Sequence, residues 1–247
     1  MSLLQLKDVS KKFGQVVVSK ETSFQLEQGD AVGIVGPNGA GKTSLFSMIS
    51  GDIALDSGEI LLDGRSLARV SAAKRARGGI GRTYQVPRPF ENMTVFENAL
   101  LGAQQGARVR GQKSYALAYD ALERTGLSDF ANRQAGTLTL LYRKRLELAR
   151  TLATSPRVLL LDEIAGGLTD LEVNELTGII RGLRTEGIAV VWIEHVVRAL
   201  INTVDRLLCL SGGVVVADGE PKSVLASDAV RAVYLGGRAV GIAAANE

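Results

Sequence analysis

A chain of 247 residues can bury one sizeable core with a small attached subdomain, and its 46% hydrophobic content is that of an ordinary globular protein. Its 29 Lys plus Arg against 26 Asp plus Glu are too evenly balanced to argue for a nucleic-acid partner. The longest apolar runs, VLLL at 158–161 and IAVVWI at 188–193, are strand-sized and fall far short of the ~20 residues that span a bilayer.

The opening MSLLQLKDVSKKF carries Lys7 and no long apolar stretch, so it does not read as a secretory signal. One cysteine rules out an intramolecular disulfide framework, and Cys209 within LLCL reads as a core residue of a cytosolic protein. Along residues 3–28, apolar–polar alternation and turn residues predict antiparallel strands, joined by GEILLD at 58–63. The run AVGIV at 31–35 then enters a glycine-rich loop and a helical KTSLFSMIS. Lys74, Arg75 and Arg77, with Arg82 beyond, form the densest basic stretch and read as a solvated helix face. Residues 87–135 hold helical segments, TVFENALLGA and SYALAYDALERTGL, joined by AQQGARVRGQ, which reads as a flexible surface loop. RVLLLDE and IAVVWIE come next, each continuous in apolar character and each leading into an amphipathic segment. Such strands require a parallel sheet covered on both faces, hence an α/β core.

Gly36-Pro37-Asn38-Gly39-Ala40-Gly41-Lys42-Thr43 matches G-x-x-x-x-G-K-[ST], with a strand before it and a helix after it. Glycines at this spacing let backbone N–H groups turn inward toward phosphate oxygens, and the following helix adds its positive end. Lys42 is then expected to reach the β- and γ-phosphates of ATP, and the Thr43 hydroxyl to ligate Mg²⁺; Ser44 completes the nucleotide-binding stretch. Asp162 closes its strand at the sheet edge where open α/β sheets bind ligands, so it is the candidate metal carboxylate. Glu163 follows it and is the candidate for polarising an attacking water.

With these motifs in order, the chain resembles the ATP-binding subunits of ABC transporters over nearly its whole length. The resemblance implies a RecA-like P-loop core with an antiparallel β subdomain and an inserted helical subdomain at about 87–155. It also implies an ATPase domain over 1–237 and a tail over 238–247. Phe13 in KKFG falls where the family stacks an aromatic ring on adenine. Gln85 in RTYQ falls at the family's Q-loop glutamine, which touches Mg²⁺ and the attacking water; His195, the one histidine, falls at its switch position. Thr169 replaces the usual acidic or amide residue of the D-loop, and Trp192 reads as core. GRTYQVPRPFENMTVFENALLGA and SDAVRAVYLGG look like stretches of the larger ATPase subunit of branched-chain amino acid importers; the alternatives are relatives that carry urea, amides or other small acids and, further off, a soluble ABC ATPase outside transport. The partners implied are two membrane permeases, a second ATP-binding subunit in a homo- or heterodimer and, indirectly, a periplasmic solute-binding protein. The place implied is the cytoplasmic face of the inner membrane.

One motif departs from the family pattern. Where Leu-Ser-x-Gly-Gln is usual, this chain has Leu138-Thr139-Leu140-Leu141-Tyr142. Thr139 keeps a hydroxyl suited to cap the next helix and to meet the opposite subunit's nucleotide, whereas Leu141 disfavours positive φ and close backbone approach. Either the two ATP sites of a dimer differ, or the change is tolerated.

Overall fold

The computed structural model describes residues 2–234, so the tail at 238–247 lies outside the described residues. In chain order the elements are β1 (Leu4–Phe13), β2 (Val16–Leu26), β3 (Ala31–Val35), α1 (Lys42–Ser50), β4 (Ser57–Leu62), β5 (Arg65–Ser66), α2 (Ala72–Arg77), β6 (Ile80–Arg82) and α3 (Val95–Leu101). Then come α4 (Gln112–Arg124), α5 (Leu140–Leu152), β7 (Val158–Asp162), α6 (Asp170–Thr185), β8 (Ala189–Ile193), α7 (Val197–Ile201), β9 (Arg206–Ser211), β10 (Val214–Gly219) and α8 (Pro221–Ala226).

The strands form two sheets. One is antiparallel, in the order β2-β1-β4-β5; the other has six strands in the order β10-β9-β3-β8-β7-β6, all parallel except β10. Strands β3, β7 and β8 are buried at every residue, as a sheet covered on both sides demands. Alternation along them divides the core. Val158, Leu160, Val191 and Ile193 face α1 and the antiparallel sheet, while Leu159, Leu161, Val190 and Trp192 face the helices. Cys209 on β9 lies in the helix-side core, and burial raises the pKa of its thiol.

Two expectations are corrected. Arg75 is not on a solvated face: it is 6% exposed. Its guanidinium donates to the carbonyls of Met48 (2.7 Å) and Ile49 (3.0 Å) in the last turn of α1, and to those of Leu67 (2.8 Å) and Val70 (2.9 Å). It satisfies carbonyls that the helix end leaves unpaired and sets a positive charge against the negative pole of α1. Nor is the segment after α3 simply a loop: residues Gly102–Gly106 continue the helix as a π-helical turn. Gly102 is required there by close approach, since a Cβ would lie 2.3 Å from the Arg150 carbonyl oxygen of α5. Periodicity missed this because the segment is polar, and its constraint is contact rather than amphipathicity.

Replacing Arg75 by Met is expected to leave several buried carbonyls unpaired and to cost on the order of 3 kcal/mol. In thermal unfolding this corresponds to a Tm lower by roughly 6–12 °C.

Candidate active site

The phosphate loop is shaped by what its glycines touch. A Cβ at Gly36 would sit 2.1 Å from the Leu210 carbonyl oxygen and one at Gly41 1.9 Å from that of Val18, and Gly41 has φ 101°. Only glycine admits both the packing and the backbone turn. Helix α1 starts at once with Lys42, so its N-terminal dipole faces the loop. Ala40 is buried, Pro37 and Ser44 are half-buried, and Asn38, Gly39 and Thr43 are exposed. The Lys42 ammonium folds back on its own loop, donating to the carbonyls of Gly36 (2.7 Å) and Pro37 (3.0 Å). Desolvation lowers its pKa, with Glu163 and Asp162 opposing that shift. A buried cation held only by neutral carbonyls is well suited to accept phosphate oxygens instead.

Thr43 and Asp162 line one cavity of about 390 Å³, together with Arg82, Gln85, Glu147 and Arg150. Asp162 is 4% exposed, and burial raises its pKa while the hydrogen bond from Arg82 pulls the other way. Arg82 is thus no part of a solvated basic face. Its guanidinium lies 3.2 Å from the Asp162 carboxylate, and it also donates to Ser47 (3.1 Å), Ser50 (3.1 Å) and Asp52 (3.2 Å) at the end of α1. The Thr43 hydroxyl, Asp162 carboxylate and Gln85 amide oxygen are the hard oxygen donors that suit Mg²⁺. Among the described residues no group of three or more His, Cys, Asp or Glu could hold a metal alone.

Three sequence candidates meet at one carboxylate. Gln85 Nε2 donates to Glu163 Oε2 at 2.6 Å, and His195 Nε2 lies 2.9 Å from Glu163 Oε1. Glu163 has φ 50°, a left-handed backbone that costs a non-glycine residue about 1–2 kcal/mol. The Glu163 N–H donates to the Ile193 carbonyl at 2.9 Å, and Lys144 Nζ donates to the Glu163 carbonyl at 3.4 Å. Such conformations persist where surrounding bonds over-determine them, and they gather at functional sites.

The remaining candidates stand apart from this cluster. Phe13 ends β1 with its ring half exposed and the Lys11 ammonium 5.2 Å from its centroid, so one aromatic face is available for stacking. Thr139 occupies the N-cap position of α5, but its hydroxyl caps no N–H of the first turn, contrary to expectation. Leu141 lies inside that first turn, is 6% exposed and is not among the residues with positive φ. The anticipated backbone penalty therefore does not arise, because the chain is already helical where the family has glycine. Thr169 serves α6 instead, in a capping box with Glu172. Glu194, which no sequence motif marks, is 1% exposed and accepts from Ala165 N at 2.6 Å, His195 N at 3.1 Å and Val196 N at 3.4 Å. Its one sequence signal is an acidic residue closing a strand that is otherwise wholly apolar.

A family model described as ABC transporter matches residues 19–166. The chain belongs to the ABC transporter family. It is an ATPase coupled to transmembrane transport, and it binds nucleotide. The high-affinity branched-chain amino acid transport ATP-binding protein BraF of Pseudomonas aeruginosa is 34% identical over 95% of this chain and 98% of its own. LivG of Escherichia coli, of the same description, has the same identity and coverage. The lipopolysaccharide export system ATP-binding protein LptB of Haemophilus influenzae is 31% identical over 96% of this chain and 98% of its own. A crystal structure of a nucleotide-free ATP-binding cassette from an ABC transporter superposes with a TM-score of 0.88 at 28% identity, covering 95% of this chain and 99% of that one. ABC ATP-binding subunits of transporters work with membrane permease components, and among the described residues of this ABC protein no helix is long and apolar enough to cross a membrane.

Glu147, on α5 beside this cavity, is 8% exposed, and burial raises its pKa against the opposing charge of Arg150 at 3.1 Å. A carboxyl whose pKa is raised by folding binds more protons in the folded chain, so stability falls as pH climbs above its ordinary value. Glu147→Gln removes that slope. Melting curves should coincide at about pH 4 and separate toward pH 7, with the variant the more stable.

Proposed function

We propose that this chain is the ATP-hydrolysing subunit of an importer for branched-chain or other small amino acids. The end-to-end match to BraF and LivG carries the substrate class, and the convergence of Gln85 and His195 on Glu163 supports the hydrolytic roles. On this reading residues 1–237 form one ATPase domain, with the helices of 87–155 as its insert. Phe13 stacks on adenine. The backbone from Gly36 to Thr43, continued by Ser44, cradles the phosphates, and Lys42 exchanges its loop carbonyls for β- and γ-phosphate oxygens. Thr43, Asp162 and Gln85 hold Mg²⁺, which when bound supplies charge neutralisation across the phosphates. Glu163 accepts a hydrogen bond from the attacking water and orients it toward the γ-phosphorus. His195 keeps that carboxylate in place and lies ready to contact the γ-phosphate.

The open N-terminus of α5, with Thr139 at its cap position, faces the nucleotide of a second ATP-binding subunit in a homo- or heterodimer. Two permeases complete the transporter, a periplasmic binding protein supplies solute, and no nucleic acid takes part. The chain itself works as a peripheral subunit on the cytoplasmic face of the inner membrane. The match to LptB favours a second reading, a subunit of an export system.

Glu163→Gln should retain MgATP binding and lose turnover by about 10²–10⁴-fold; undiminished turnover would remove Glu163 from its hydrolytic role. In proteoliposomes holding the whole transporter, ATP-driven uptake of labelled leucine, isoleucine or valine is expected. Robust ATPase with no uptake of any of them would instead favour the export reading or another small solute.

A further inference from the structure

The strained Glu163 and the exposed His195 sit on separate loops, after β7 and after β8. Between those loops lies one buried side chain that the hydrolytic roles do not use. Glu194 Oε1 accepts from the Ala165 N–H, two residues beyond Glu163, at 2.6 Å. Its Oε2 accepts from the N–H groups of His195 (3.1 Å) and Val196 (3.4 Å). Each oxygen thus grips a different loop, and the carboxylate, 1% exposed, spans the gap between them. The nearby cation is Lys144 of α5, itself 5% exposed, whose ammonium donates to the Glu163 carbonyl at 3.4 Å and whose own desolvation is offset first by the Glu194 charge. Burying a carboxylate is costly unless charge and hydrogen bonds compensate. An amide or hydroxyl could satisfy one loop at lower cost. Only a carboxylate offers acceptors on both sides.

We infer that Glu194 is a positioning residue that clamps the loop after Glu163 to the loop of His195, so that the 2.9 Å contact between Glu163 and His195 is made and kept. This rests on the hydrolytic roles proposed for Glu163 and His195. Glu194 touches neither nucleotide nor water; it acts through the two residues that do. Glu194→Gln is close to isosteric, yet its amide nitrogen cannot accept an N–H, so one of the two grips must fail.

The test uses the full chain. Amide hydrogen exchange at residues 163–166 and 194–197 reads the clamp directly, without catalysis. MgATP affinity and turnover are measured on the same material, with Glu163→Gln in parallel and thermal unfolding to confirm folding. For Glu194→Gln the expectation is faster exchange at Ala165 or at His195 and Val196. Turnover should fall about tenfold to a hundredfold, the scale of a misplaced catalytic group, with MgATP affinity within about twofold of wild type. Wild-type exchange at both loops, or loosened loops with unchanged turnover, would overturn the inference. So would a drop in MgATP affinity matching the drop in turnover, since that is a general structural defect. If Glu194→Gln does not fold, Lys144→Met tests the same clamp, because it removes the compensating cation: loosened exchange at both loops supports it and intact exchange overturns it. Undiminished turnover in Glu163→Gln would sink the hydrolytic reading itself, an outcome separate from any of these.

Discussion

A sheet buried on both faces can place charge only at its strand ends, and the chemistry of this chain is arranged by that constraint. Strands β3, β7 and β8 admit no exposed residue, so their side chains are committed to the two halves of the core. Polar groups can first appear where each strand gives out: Gly36 after β3, Asp162 and Glu163 at and after β7, Glu194 and His195 after β8. Because the three strands are parallel neighbours, in the order β3-β8-β7, their C-terminal ends fall on one edge. The glycine-rich loop, the candidate metal carboxylate Asp162 and the polar cluster around Glu163 are together because the hydrophobic core leaves them no other place.

Grouping charges at a half-buried edge has an electrostatic consequence. Desolvation raises the pKa of Asp162, Glu147 and Glu194 and lowers that of Lys42 and Lys144. In every case burial is the largest cause, and neighbouring charges and hydrogen bonds offset it only in part. The edge is therefore an environment in which charges are under-compensated. Arg82 beside Asp162, and the loop carbonyls around Lys42, act as stand-in partners. A ligand with both strong negative charge and a divalent cation can replace them, and a nucleotide triphosphate with its metal has that composition.

The strands and the phosphate loop were legible because their signals are local: continuous apolar runs, a glycine spacing, an acidic pair at a strand end. What escaped depends on contacts far apart in sequence. Arg75 and Arg82 read as a solvated run because charge composition cannot reveal that four carbonyls surround one guanidinium, or that Asp162, eighty residues on, pairs with the other. The π-helical turn after α3 is dictated by how closely α5 passes Gly102. Thr169 departs from the family's D-loop pattern, yet its hydroxyl and Glu172 form a capping box for α6, which the T-x-x-E spacing itself encodes. Glu194 needed both loops in place before its bridging geometry could be seen.

The altered signature shows how far side-chain identity can mislead without backbone geometry. Leu141 was suspect because leucine resists positive φ, yet the residue is helical and its side chain is buried. The end of α5 presents Thr139 and Leu140 to solvent, and Leu140 is 44% exposed with its side chain against Gly167. Tyr142 is occupied elsewhere, its ring 4.5 Å from that of Phe130 and 5.5 Å from the Arg145 guanidinium. The anion-attracting elements at this end are thus the helix terminus itself and the uncommitted Thr139 hydroxyl, both intact. In the proposed dimer, a difference between the two ATP sites that stems from this signature traces to the exposed Leu140, which adds an apolar surface at the helix end. It would not arise from a strained backbone at Leu141. Asymmetry between sites therefore becomes a question about desolvation at one side chain, which Leu140→Gly addresses and Leu141→Gly does not.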